Sequence, residues 1–157
     1  MNYAAPRPGA PAAAVPDSLV LAGSGSDIRA TVVIERWPGP APAVRHPHDV
    51  AGAEISAGPD ASTEFEWELT GSDPLLAHVV DYGAFPLDCQ VGLVTGRWRV
   101  RVSCWHRTAA EIFSDEVFDA EAAAEDEAGA ADSATLEDLF PLGPEVWLLQ
   151  LWPTSAG

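Results

Sequence analysis

Lysine is absent from the sequence, and all eight basic residues are arginines. They face 24 aspartates and glutamates, which gives a formal net charge of −16 at pH 7. A surface this acidic repels phosphate backbones and anionic lipids, so we expect no direct binding of nucleic acid and no membrane association. The charge could serve solubility alone. If it instead serves binding, the partner that it attracts is a basic protein.

Cysteine is also scarce, since Cys89 and Cys104 are the only two. Two cysteines supply neither a disulfide framework nor a zinc site built from ligand pairs. No stretch reaches the ~18 consecutive apolar residues of a membrane-spanning helix, and the first residues lack the basic-then-apolar order of a signal peptide. We therefore expect a cytoplasmic protein with buried, reduced thiols.

Catalytic signatures are missing as well. The glycine–serine segment 23–26 matches no nucleophile elbow, and it lacks the lysine of a phosphate-binding loop. We predict a noncatalytic protein without a cofactor. His46, His48 and Asp49 are residue types that bind zinc or iron, but the sequence identifies no further ligand for them. A small-molecule or metal-binding protein centred on these histidines is therefore an alternative.

What the chain does contain is apolar residues in strand-length segments. Hydrophobic residues make up 47% of its 157 positions, enough for one domain with its own core. Residues 1–16 hold four prolines among alanines and predict a disordered arm, which leaves 17–157 as the single domain. Apolar runs at 19–21 and 28–37 predict two strands joined by a turn, and residues 38–59 predict a long loop.

Alternating patterns predict the fold class. Glu64, Glu66 and Glu68 alternate with three large apolar residues, which predicts a half-buried strand with an acidic outer face. Residues 75–82 predict a further strand, and 146–152 a central strand covered on both sides, because both alternating sets are largely apolar. About seven strands with irregular connections indicate an all-β fold, an antiparallel β-sandwich.

Residues 87–105 predict a hairpin with its turn at Thr95 and Gly96. If Val94 faces Arg97, eight apolar side chains share one face of this hairpin. Leu87 then lies opposite Cys104, and Cys89 lies diagonal to it on the buried face. A cross-link between the two cysteines is the alternative to the reduced thiols that we favour. A one-residue slip would mix the apolar and polar sets, which favours this register.

The other face of that hairpin carries Arg97, Arg99 and Arg101, with Trp105 on the same side to stack on Arg101 or anchor an interface. Three repelling cations require compensation. Either the acidic segment between residues 111 and 138 folds back onto them, or a partner supplies carboxylates or phosphates. We favour the internal pairing, because the two segments are adjacent in sequence and opposite in sign.

Residues 108–141 form an acidic insertion with eleven carboxylates and no basic residue. Like charges three and four residues apart oppose a helix, so we predict a mobile loop or a short, frayed helix within 116–127 before the last strand. The three carboxylates at 64, 66 and 68 form a second acidic row. The predicted partner-binding residues are Glu111, Asp115, Glu116, Asp119, Glu121, Glu125, Asp126 and Glu127, together with Arg97, Arg99, Arg101 and Trp105.

Segments 96–102 (GRWRVRV) and 145–153 (EVWLLQLWP) resemble the closing strands of small acidic bacterial proteins. These are proteins related to competence protein J, the DNA-entry nuclease inhibitor, and immunity-type proteins from toxin loci. The resemblance implies a β-rich acidic body that blocks a nuclease without catalysis, although the proline/alanine arm and the acidic insertion depart from the family pattern. We therefore expect an inhibitor or immunity-type protein that blocks a basic nuclease or toxin, and alternatively an accessory subunit of a bacterial assembly.

Overall fold

The computed structural model describes residues 10–23, 28–47, 58–71, 74–80, 83–86, 92–127 and 141–154. These ranges hold eight strands and one helix. In chain order they are β1 (Ala12–Val15), β2 (Ser18–Ala22), β3 (Arg29–Arg36), β4 (Ala61–Leu69), β5 (Leu75–Val80), β6 (Gly83–Pro86), β7 (Gly96–Trp105), α1 (Arg107–Glu127) and β8 (Leu142–Pro153).

The strands form two four-stranded sheets. Sheet I has the order β1-β2-β5-β6, and sheet II has the order β3-β8-β7-β4. The chain is mostly β and resembles a sandwich, as the alternating patterns predict. Both sheets are mixed rather than wholly antiparallel, because β2 pairs with β5 and β3 with β8 in parallel.

The core lies on the inner faces of the two sheets. Sheet II contributes Trp67, Val100 and Trp147, and sheet I contributes Leu19 and Leu76, all almost completely buried. The prediction of a central strand near the C-terminus is confirmed, since β8 lies between β3 and β7 and every residue of 146–152 is buried. Apolar side chains on both alternating sets fit only a strand that is covered on both faces.

The predicted disordered arm is wrong for its last residues. Ala12–Val15 forms β1 and pairs with β2 across a turn at Pro16 and Asp17. Proline at the first turn position fixes φ, and Asp17 adopts φ 63° at the second. The Asp17 carboxylate then accepts hydrogen bonds from the hydroxyl of Thr70 and the backbone N–H of Gly71. Residues 1–9 lie outside the described residues.

The strands predicted at 19–21 and 28–37 exist as β2 and β3, but they belong to different sheets and do not pair with each other. Residues 38–47 and 58–60, the described parts of the predicted loop, contain neither helix nor strand. The strand predicted at 75–82 is confirmed as β5 up to Val80.

The predicted hairpin around Thr95 is wrong. Strand β7 has β4 on one side and β8 on the other, so Cys104 lies opposite both Ala61 and Trp147. Both edges of β7 are therefore occupied, and no edge is left for residues 87–94. Cys104 is a buried free thiol whose pKa is raised, chiefly by desolvation. Cys89 lies outside the described residues.

The helix in the acidic insertion is longer than predicted, because it begins at Arg107 rather than near Glu116. Its first turns pack against β8, with Ala110 and Ser114 buried at helical spacing and Val117 half-buried. This packing outweighs the repulsion between like charges on the helix surface. Residues 128–140 lie outside the described residues. Among those described, we find no helix with the combination of length and apolar character that crossing a bilayer demands.

Candidate functional site

One row of polar side chains crosses the whole outer face of sheet II. The strand register places Glu35 of β3 opposite Gln150 of β8, Gln150 opposite Arg101 of β7, and Arg101 opposite Glu64 of β4. Residues that lie directly opposite each other on neighbouring strands project from the same face. These four side chains therefore stand side by side across four strands.

Hydrogen bonds connect every neighbour in this row. Gln150 Nε2 donates to Glu35 Oε2 at 3.1 Å, and Gln150 Oε1 accepts from Arg101 Nη1 at 3.2 Å. Arg101 Nε donates to Glu64 Oε2 at 3.1 Å, while Arg99 Nε donates to Glu64 Oε1 at 2.8 Å. We call these five residues the polar ladder. Gln150 is only 2% exposed, so both ends of its amide need the partners that the ladder provides.

The polar ladder shows which acids compensate the arginines. Arg97, Arg99 and Arg101 lie opposite Glu68, Glu66 and Glu64 in the register of β7 and β4. Ion pairs join Arg99 to Glu64 and, at 3.9 Å, to Glu66, and a third joins Arg101 to Glu64. The hydrogen bond from Arg99 lowers the pKa of Glu64. The arginines are compensated within the chain, but among the described residues the acids belong to β4. The favoured pairing with the acidic insertion is not found there.

Trp105 does not take the role that its sequence position predicts. Its side chain is only 3% exposed, and the ring of His46 meets it edge-on with centroids 5.1 Å apart. The guanidinium of Arg101 instead lies 5.3 Å from the ring centroid of Trp152. Trp152 is the outer-face neighbour of Gln150 on β8, which places it diagonal to Arg101. A buried Trp105 offers no anchor to an outside partner.

Of the motif formed by His46, His48 and Asp49, the structure describes only His46. His46 packs on Trp105 and lies 5.8 Å from His106, measured between ring centroids. His48 and Asp49 lie outside the described residues. Among the residues that the structure describes, no group of three or more histidine, cysteine, aspartate or glutamate side chains could hold a metal ion.

The carboxylates of α1 have surroundings unlike those of β4. Glu111, Asp115, Glu116 and Asp119 are all exposed, and none of them forms an ion pair with another described residue. No basic residue follows Arg107 along the helix. For the remaining predicted residues, Glu121, Glu125, Asp126 and Glu127, the structure describes a helical backbone only. The acidity of α1 therefore has no counter-charge in the described structure.

The buried stripe of α1 does not continue along the whole helix. Helical spacing extends the buried stripe of Ala110, Ser114 and Val117 to position 121, which is a glutamate. Every side chain described after Val117 is exposed, including Phe118 at 61%. Among the described side chains of α1, the buried stripe therefore ends at Val117.

An apolar groove lies beside this helix. It is lined by Ala109, Ile112 and Phe113 from α1 and by Leu142 from the start of β8, with Glu116 at its edge. Ile112 and Leu142 are 57% and 56% exposed. Apolar side chains with this exposure next to carboxylates are typical of surfaces that bind another macromolecule.

Sequence reasoning missed Glu35 and Gln150, although Gln150 left a signal. It is the one polar residue in the apolar segment 146–152, and a buried amide implies partners on both neighbouring strands. Glu35 left no such signal, because a glutamate near the end of a strand is ordinarily solvated. Arg107 was also overlooked. Its guanidinium donates to Ala22 O at 2.9 Å and lies 5.5 Å from the ring centroid of Trp147.

Together these features define a class: a two-sheet, mostly β protein in which Arg99 and Arg101 are compensated by β4 and the described carboxylates of α1 have no described counter-charge. A comparison of the chain with protein-family models, with curated proteins and with solved structures finds no match.

Proposed function

We propose that this is a noncatalytic acidic binding protein of the inhibitor or immunity type, which blocks a basic protein such as a nuclease or toxin. The observation that carries the proposal is the set of exposed carboxylates on α1 without a described counter-charge. The resemblance of segments 96–102 and 145–153 to nuclease inhibitors and immunity proteins supports the same class of partner.

In this proposal, the carboxylates of α1 and its exposed apolar side chains have different roles in binding. Carboxylates along an exposed helix resemble a row of phosphates, so they attract a cationic nucleic-acid groove and accelerate encounter. Long-range attraction gives rate and specificity more than affinity. Ile112 and Phe118, exposed on the same helix, supply the apolar contact from which most binding energy comes. With α1 in the cationic groove of the partner, nucleic acid would be excluded from that groove.

The experiment is capture of partners from a lysate of the native cells on the immobilised full chain, with identification by mass spectrometry. The variant Asp115→Asn/Asp119→Asn removes two of the eight negative charges of α1. The matched variant Glu66→Gln/Glu68→Gln removes two of the three negative charges of β4. We expect one basic protein that binds the wild type and the β4 variant, binds the α1 variant less, and dissociates as salt rises.

Two outcomes contradict the proposal. Equal loss of the captured protein in both variants would show that only total charge matters. Capture that is insensitive to salt and to the α1 variant would show that this helix is not the binding surface.

A further inference from the structure

The two edges of sheet II differ in how they are protected. On the β4 edge, the turn between β1 and β2 contacts the strand: the backbone N–H of Asp17 donates to Glu68 O at 3.0 Å, and Trp67 Nε1 donates to Val15 O at 3.1 Å. On the β3 edge, no backbone group of another described residue pairs with the strand. In the part of the chain that the structure describes, β3 is the open edge of sheet II.

Hydrogen bonds identify which backbone groups of β3 face outward. The N–H groups of Arg29 and Trp37 donate toward β8, to Pro141 O and Leu151 O. Backbone groups alternate between the two edges of a strand, so odd-numbered residues serve the pairing with β8. The N–H and C=O groups of Ala30, Val32 and Ile34 therefore point away from sheet II.

This edge has little of the usual protection against pairing: the register of β3 with β8 shifts between Arg29 and Thr31, but residues 31–36 pair without interruption. Native edge strands are commonly short or carry lysine, proline or a bulge. Strand β3 has eight residues, with Thr31, Val32, Val33 and Ile34 in succession and neither lysine nor proline. Its six interior residues, 30–35, are all half-buried, which leaves apolar surface for a neighbouring strand to cover.

We propose that β3 pairs antiparallel with β3 of a second copy of the chain, which joins two copies of sheet II into one eight-stranded sheet. The outward groups restrict the register, because even-numbered residues must face even-numbered residues. Among these registers, the one centred on Val32 places Arg29 opposite Glu35 of the other copy, twice by symmetry. Registers centred on Thr31, Val33 or Ile34 set no opposite charges against each other.

The surroundings of Glu35 suit this pairing. Trp37 Nε1 and Gln150 Nε2 both donate to Oε2 of Glu35, so its other oxygen, Oε1, accepts none of the described hydrogen bonds. Arg29, Glu35 and Arg36 give β3 a net charge of +1 within a chain of −16. Repulsion between two copies is therefore weaker along β3 than the net charge of the whole chain suggests. The proposed interface is separate from α1, so it does not depend on the proposed function.

The test is the mass of the full chain measured by sedimentation equilibrium from micromolar to millimolar concentration. We expect a monomer–dimer equilibrium in the wild type and a monomer for Val32→Pro. The N–H of Val32 makes no bond to β8, and proline is tolerated on edge strands, so this variant keeps sheet II. The control Val32→Ala shortens the same side chain but keeps the N–H, and it should still dimerise.

A charge variant tests the register. Arg29→Glu sets two pairs of like charges against each other, so we expect a dimer dissociation constant about tenfold larger. Arg45→Glu changes the net charge equally at an exposed position outside β3, and we expect a smaller change from it. A chain that stays monomeric to millimolar concentration overturns the proposal, as does a dimer that Val32→Pro leaves intact.

Hydrogen exchange gives a readout that does not depend on variants. In the dimer, the amides of Ala30, Val32 and Ile34 should gain protection as concentration rises. The amides of Thr31 and Val33 are bonded to β8 and should be protected at every concentration. Protection that rises with concentration on odd and even residues alike would contradict the pairing through the even-numbered amides.

Discussion

Two acidic regions of this molecule use the same residue types in opposite ways. On β4, three glutamates alternate along a strand whose neighbour carries three arginines in register. On α1, the described carboxylates face solvent and no described cation pairs with them. The comparison teaches that net charge says little about function until the structure separates compensated from uncompensated acid.

The two regions also differ in how much stability the fold should lose when their charges are removed. On β4, Glu64 pairs with Arg99 and with Arg101, and Arg101 also donates to the buried amide of Gln150. Glu64 therefore belongs to a network whose parts support each other. The α1 carboxylates repel each other at spacings of three and four residues and gain nothing from packing. Their presence on the helix is therefore not explained by the stability of the fold.

The largest expected effect comes from Arg101→Met. This change removes the hydrogen bonds to Glu64, Gln150 and the carbonyl oxygen of Pro42, together with the contact on Trp152. We expect the free energy of unfolding to fall by about 2–3 kcal/mol in urea titrations followed by tryptophan fluorescence.

The matched control for this change is Arg97→Met. Arg97 is exposed and has no ion pair within the described residues, so its loss should stay within about 0.5 kcal/mol. Equal losses for the two variants would show that the polar ladder contributes nothing beyond surface charge.

A second prediction concerns where α1 stops being part of the fold. Ala110 is fully buried between the helix and the body, so Ala110→Leu should overpack this contact and cost about 1–3 kcal/mol. Ala123→Leu makes the same change in the second half of the helix, where the residue is exposed, and should cost less than about 0.5 kcal/mol. A large loss at position 123 would show that the second half of α1 is also packed.

The sequence allowed the fold class to be predicted, because alternation reports which face of a strand is buried. It did not reveal which strands are neighbours. Val100, Val102 and Cys104 need an apolar face whether residues 87–94 or β4 lie beside them, so the hairpin register satisfied the pattern and was still wrong. The decisive signal was charge: the three glutamates of β4 match the three arginines of β7, in antiparallel order.

The acidic helix was underestimated for a different reason. Repulsion between carboxylates is visible in the sequence, whereas the packing of Ala110 and Ser114 against β8 depends on where the chain returns. Burial of one helical stripe stabilises the helix more than the repulsion between several solvated pairs of carboxylates destabilises it. The four described carboxylates of α1 were nevertheless predicted to be exposed candidates, and the structure places them on the surface.

A third prediction uses pH to distinguish the two regions. Because the pKa of Glu64 is lowered in the folded state, its contribution is present above the pKa of the unfolded chain and is lost as pH falls through the lower folded value. The difference in unfolding free energy between wild type and Glu64→Gln should therefore shrink as pH falls from 6 toward 3.

The unfolding free energy of Asp115→Asn, measured over the same pH range, is the comparison for Glu64→Gln. An exposed pair such as Glu64 with Arg99 is worth about 0.5 kcal/mol, so the change is small and needs paired measurements. A gap between wild type and Glu64→Gln that stays constant down to pH 3 would mean that its ion pairs do not stabilise the fold.

The smallest expected effect is the sharpest test of the comparison. Asp115 and Asp119 lie four residues apart on α1, so Asp115→Asn/Asp119→Asn removes a repelling pair and should raise stability by about 0.3 kcal/mol at low salt. Glu66→Gln/Glu68→Gln removes the same charge from β4 and should lower stability slightly, since Glu66 pairs with Arg99. Both differences should fade as salt is added, because exposed charges are screened. If the α1 variant instead lost more than about 1 kcal/mol, its carboxylates would have structural partners, and their exposure could no longer be read as a surface kept for a basic protein.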